Sequence, residues 1–200
     1  MTMKRIIILC VVLFATAANA SAQSWLDALK GAATELVDEV TGGKATEALL
    51  PGKWSYAAPA VRLVSDDLIA STLSSSVTAP IEQKLQKAYD YAGIKAGSCT
   101  FTFNADGSFT AVLGKKTLAG TYVYASDTHA IELKFTSTLL NLGSMRGYAY
   151  LDGENLELVF DCTKLFNFLT KLGSKVSLLS PITQLVETYD GMMLGFGFNK

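Results

Sequence analysis

The sequence predicts a mainly β fold: eight antiparallel strands running up and down around a closed barrel, with an N-terminal helix and two helical insertions. Three observations predict it. Six consecutive segments between Cys99 and Asp161, among them Ser108 to Leu113 and Asn155 to Asp161, alternate apolar and polar residues, the pattern of half-buried strands. Turn chemistry separates them, at Asn104-Ala105-Asp106-Gly107, Gly114-Lys115-Lys116, Ser126-Asp127 and Asp152-Gly153. Two further segments flank the run, one opening at Trp54 and one from Met192 to Phe198, and they bring the count to eight. Eight strands close into a barrel that is either filled by its own side chains or holds one small ligand.

Residues 1–22 read as a secretory signal peptide. Lys4-Arg5 are a basic start, Ile6 to Phe14 an apolar stretch, and Ala18-Asn19-Ala20 or Ala20-Ser21-Ala22 a small-residue cleavage site, so cleavage is expected near Ala20 or Ala22. A membrane span needs about 20 apolar residues, and this stretch is too short. Cys10 follows Leu9, where a lipid-anchor site requires a small residue. Export to the periplasm or the extracellular space, without a lipid anchor, is the expectation. After cleavage 15 basic residues face 18 acidic ones, a formal charge of −3. That spread-out, weakly acidic balance excludes nucleic acid as a partner, because phosphate binding needs a concentrated basic face.

Each element of the mature chain has its own justification. In residues 23–50, Trp25, Leu26, Leu29, Ala33, Leu36, Val37 and Val40 recur at helical spacing, with Ser24 as N-cap and Gly42-Gly43 as stop. Its polar face is acidic, which suits cover for the domain better than a membrane surface. The barrel domain then occupies residues 51–200. A first helical insertion, at about 65–97, has a possible start at Asp66-Asp67 and a second helix from Ala79-Pro80, with Ile81, Leu85, Ala88, Tyr89 and Ala92 on one face and Gly93 at its end. A second insertion, at 163–189, runs from Thr163 to Gly173 and resumes from Pro181 to Tyr189. In an up-and-down trace both insertions fall at the same mouth of the barrel, which they would cover.

Leu50-Pro51-Gly52-Lys53-Trp54 carries a resemblance. Gly52-Lys53-Trp54 is similar to the Gly-x-Trp that opens the first strand of lipocalins. The signal peptide, short helix, Leu-Pro-Gly-Lys-Trp, helical insertion, hairpins and closing Tyr-Asp-Gly-Met-Met-Leu-Gly-Phe together resemble the secreted lipocalin-like proteins of Bacteroidetes. The resemblance implies that Trp54 packs across a closed barrel end beneath an arginine from a late strand, with Arg146 as the candidate. The chain departs from lipocalins in the long segment after its first strand.

Catalytic chemistry is thin. The single histidine, His129, sits beside a turn where it is expected to be solvated, and no Gly-x-Ser-x-Gly elbow occurs. One histidine and the separated Cys99 and Cys162 do not make a zinc site. Those two cysteines have inward strand parity, and they read as buried thiols in preference to a disulfide. Glu132 and Glu157 carry outward parity. No catalytic residue, cofactor or metal is therefore assigned. The inward residues are apolar and aromatic, and the expected function is binding of a small apolar or amphipathic ligand. Phe101, Tyr122, Phe135 and Phe160 are the candidate barrel lining, with Tyr89 and Phe168 facing in from the lid helices. The alternative is a solid barrel that recognises protein or glycan at its surface. On the last strand, outward parity falls on Gly195 and Gly197, which predicts that another element packs there, the Trp25–Val40 helix being the candidate.

Overall fold

The computed structural model of the 200-residue chain describes residues 41–63, 75–136, 141–186, 189 and 191–200. The signal segment, the Trp25–Val40 helix and the Asp66-Asp67 helix start lie outside the described residues. Within them the chain runs through α1 (Lys44–Leu49), β1 (Gly52–Leu63), α2 (Ser75–Ala92), β2 (Thr100–Phe103), β3 (Ser108–Leu113), β4 (Lys116–Ala125), β5 (Ala130–Phe135), β6 (Ser144–Asp152), β7 (Asn155–Asp161), α3 (Cys162–Leu172), α4 (Val176–Val186) and β8 (Met192–Asn199). The eight strands form a closed barrel in sequence order, every neighbouring pair antiparallel. The predicted fold class is the one observed, and β3 and β7 keep the boundaries read from the alternation.

Closure depends on β1. Its first residues pair with β2, Trp54 opposite Phe101, and after an irregularity between Tyr56 and Ala58 it continues along β8 to Leu63 opposite Met192. Beyond Tyr56, whose N–H donates to the Cys99 carbonyl at 2.8 Å, its pairing is with β8 alone, which is where Pro59 sits, a residue with no N–H to give a second neighbour. α2 packs against β1, with Tyr56 meeting Gln86 and Tyr89.

The two barrel ends differ in construction. The β2–β3, β4–β5 and β6–β7 turns crowd one end, and α1 joins them there. Gly43, in the left-handed region at φ 75°, lies so close to the Ser126–Thr128 turn that a Cβ would fall 2.1 Å from the Ser126 carbonyl oxygen. Only glycine meets both demands. At this end Trp54 is fully buried and its Nε1–H donates to the Leu50 carbonyl at 2.8 Å. At the other end α2, α3 and α4 pack on one another. Both helical insertions therefore share one mouth.

Several expectations need correction. Arg146 is exposed on the outer wall, opposite Glu132, and cannot reach Trp54. The cation over the Trp54 ring is Lys200, its Nζ 4.7 Å from the ring centroid and also donating to the Leu49 carbonyl at 3.1 Å. Gly42-Gly43 does form a stop, a turn directly after the helical Thr41, but a further short helix, α1, begins at the next residue. α2 and α4 each begin five residues before the proline read as their start, at Ser75 and Val176, and carry Pro80 and Pro181 inside. A helix that packs well tolerates the one lost donor near its beginning. Cys162 does not continue β7 but opens α3, half-buried, while Cys99 is fully buried; both are free thiols.

The last-strand glycines have a local cause. A Cβ on Gly195 would lie 1.8 Å from the Leu158 carbonyl oxygen of β7, so the close approach is between strands. The outer space beside the two glycines is crossed by Arg62, which starts opposite Met193 and reaches Glu157, opposite Gly197, with Nε donating to the carboxylate at 2.8 Å. Its guanidinium also lies 4.1 Å from the Tyr150 ring centroid.

Candidate ligand-binding site

All six predicted lining residues belong to one aromatic network, which occupies the barrel interior. Phe101 stacks on Phe109 at 6.2 Å between centroids, Phe109 meets Phe135 at 5.4 Å, and Phe135 meets Phe168 of α3 at 5.8 Å. Phe196 of β8 sits at the hub, 6.3 Å from Phe168, 6.4 Å from Phe160, 6.5 Å from Phe101 and stacked on Tyr89 at 4.9 Å. Separations of this size are those of rings in contact. Tyr122 joins at the closed end through Phe103, and its hydroxyl turns away to donate to the Asn104 carbonyl at 2.9 Å.

Tyr89 fastens the lid to the wall. It is fully buried, and its hydroxyl donates to the Gly195 carbonyl at 2.7 Å. Burial, and then the neighbouring Tyr56, push this phenol far above the ordinary tyrosine range. Tyr56 is raised as well, by burial first and then by the charge of Asp90, against a hydrogen bond from its hydroxyl to Gln86. Both rings are held protonated, as donors, through the neutral range.

Next to this network, where α3 meets residues 141–143 just before β6, is a cleft of about 190 Å³. Leu142, Met145 and Phe168 form its apolar wall, and Ser144, Lys164, Asn167 and Lys171 its polar wall. Four of these residues come from α3 at positions i, i+3, i+4 and i+7, which is one helix face. The face is held at both ends. Asp161 accepts from the Thr163 and Lys164 backbone N–H groups, at 3.0 and 3.2 Å, as N-cap. Gly173 closes the helix in the left-handed region, and Lys116 Nζ donates to the Leu172 carbonyl at 2.7 Å. Lys171 Nζ donates across the cleft to the Asn141 carbonyl on the β5–β6 connection.

Of the six residues read from sequence, Phe168 alone lines this cleft; the other five lie in the network behind it. Sequence reasoning missed the polar wall. Its signal was present as Lys164, Asn167 and Lys171 on the face of a helix that also carries Phe168, with no acid among them.

Residues with chemical potential elsewhere are engaged structurally. His129 is half-buried, correcting the solvated reading: it stacks on Tyr150 at 5.0 Å, and its Nδ1 lies 3.1 Å from the Tyr124 hydroxyl. The Cys162 thiol is raised, by burial and then by the Asp161 charge, which works against nucleophilic use. Cys99 Sγ accepts from the Gly114 backbone N–H at 3.2 Å. Asp106 closes the β2–β3 turn, accepting from the Ser108 N–H and hydroxyl at 2.9 and 2.7 Å, and these bonds lower its pKa. Among the described residues no three His, Cys, Asp or Glu side chains gather where they could hold a metal, and no helix is long and apolar enough to cross a membrane.

With the barrel and cleft described, comparison with known proteins fixes the family. The profile of the Lipocalin-like domain (DUF4923) matches residues 27–200. The chain belongs to that family. No curated protein matches it. Among solved structures, this lipocalin-like chain is similar to a DUF4847 family protein from Bacteroides vulgatus, at 15% identity over 82% of this chain and 96% of the other, with a TM-score of 0.34. It is similar also to a protein from Bacteroides eggerthii, at 12% identity over 75% of this chain and 98% of the other, with a TM-score of 0.33.

Proposed function

We propose that this lipocalin-like domain is an exported, non-catalytic binding protein for a small amphipathic ligand, taken at the helical mouth of the barrel. The observation that carries the reading is the cleft itself, with one wall of Leu142, Met145 and Phe168 facing another of Ser144, Lys164, Asn167 and Lys171. Small-molecule sites combine a mostly apolar lining with a few placed polar groups, and this one does so on a helix pinned at both ends. The apolar signal segment supports export. The engagement of His129 in an aromatic stack and of the raised Cys162 thiol at a helix start supports binding over catalysis.

The location refines the expectation of a ligand deep in the barrel. Phe101, Phe135 and Phe160 touch other rings on the interior side, so a ligand there would have to displace aromatic contacts. Native mass spectrometry of the full chain tests this. The wild type should carry a small-molecule adduct, and Asn167→Trp, which fills the cleft from an exposed position, should lose it. An adduct retained by Asn167→Trp would place the ligand elsewhere, and no adduct in the wild type would count against binding.

A further inference from the structure

From the charge and size of the cleft, we infer that its ligand is a small anionic amphiphile, its acceptor-only head held between Lys164 and Lys171 and its apolar body laid on Phe168 and Met145. This inference rests on the reading of the cleft as the ligand site and adds the chemical class.

Charge is the first reason. Two of the seven lining residues are lysines, none is acidic, and the remaining polar ones, Ser144 and Asn167, can both donate. A carboxylate, phosphate or sulfonate head is an acceptor that such a wall satisfies, whereas an ammonium would meet two like charges. Among the described residues neither lysine pairs with an acid. Lys171 uses one of three N–H donors on the Asn141 carbonyl, which also carries its ammonium across the opening of the cleft. Lys164 lies two turns earlier, about 10.5 Å along the helix axis. Asn167 stands between the two, so the three donors bracket one stretch of the helix face.

Size is the second reason. The cleft is small, about 190 Å³. That is below the common range for drug-sized ligands. It accommodates a head group with a short chain or a single ring, and excludes enclosure of a bulky cofactor or a whole long-chain lipid. The wall opposite the lysines suits such a body, because Met145 and Phe168 are both buried apart from the face they turn to the cleft.

Isothermal titration of the full chain with three probes of one tail, octanoate, 1-octanol and octylamine, tests the inference. Octanoate should bind at least about tenfold more tightly than octanol, and octylamine more weakly than either. In the Lys164→Ala/Lys171→Ala variant, checked to be folded by circular dichroism, the preference for octanoate over octanol should disappear. In Asn167→Trp binding of both should be lost. Equal affinities of octanoate and octanol in the wild type, with both lost in Asn167→Trp, would overturn the anionic class and leave the cleft as the site. Octanoate preference that survives the double lysine variant would also overturn it, by placing the head elsewhere. No binding of any probe, or binding unaffected by Asn167→Trp, would overturn the cleft reading itself and this inference with it.

Discussion

The two ends of the barrel are built from the same eight strands and closed in opposite ways. At the turn-rich end one large ring does the sealing: Trp54 fills the opening, bonds to Leu50 four residues back, and lies under Lys200. At the other end three helices are tied down by single polar contacts between distant parts of the chain. Tyr89 reaches Gly195, Ser174 Oγ donates to the Ala88 carbonyl at 3.1 Å, and Lys116 caps α3. A plug leaves no polar lining; a helical cover held at a few points leaves a seam, and the cleft is in that seam. With the proposed site in that seam, stability and binding fall to opposite ends of one fold.

Removing the plug should produce the largest effect. Trp54→Ala takes a fully buried indole from the closed end, and such truncations cost about 3–5 kcal/mol. For a domain of this size that is a fall of roughly 6–20 °C in melting temperature, measurable by circular dichroism. Octanoate binding at native temperature should persist. Loss of binding in a folded Trp54→Ala protein would break the division between the ends.

Alkali should loosen the helical end next. Tyr56 and Tyr89 are raised when folded, so below the unfolded tyrosine value near 10 their contribution is fully present. Above it the unfolded state releases protons that the folded state retains, and stability falls as pH rises, by up to about 1.4 kcal/mol per pH unit for each group. Urea titrations from pH 8 to 11 should show stability flat to about pH 10 and then declining, less steeply in Tyr56→Phe. An equal decline in that variant would remove Tyr56 from the account.

Tyr89→Phe keeps the stacked ring and deletes only the tie from α2 to β8. A buried neutral hydrogen bond is worth about 0.5–1.5 kcal/mol net. Hydrogen exchange should rise in α2 before the barrel strands; uniform acceleration would mean that the lid and barrel open as one unit. Smaller still is Lys200→Ala, where an exposed cation over Trp54 is worth about 0.5–1 kcal/mol. Arg146→Ala should leave stability within about 0.5 kcal/mol, since its side chain is exposed on the outer wall.

What could be read in the sequence follows the same division. The strands were legible because burial on one face imposes a period of two, and β3 and β7 could be bounded to the residue. Trp54 was legible because a local motif carries it. Lys200 was not, because the residue that covers the plug is set by barrel closure, which brings the chain end over β1. Pro80 and Pro181 misled the helix starts, since tertiary packing outweighs one missing donor. The interior aromatics were legible as a set by parity. The cleft was not, because it exists only where residues 141–143 meet α3, and no periodicity reports a seam between two elements.

Methyl-detected NMR of the full chain, titrated with octanoate, tests the division of labour most directly. Shift changes are expected at Leu142 and Met145 beside the cleft, with Leu49 and Leu151, far along the barrel, unmoved. Changes concentrated at Leu49 and Leu151, or spread through the interior methyls of Leu133 and Leu158 with Met145 silent, would contradict it.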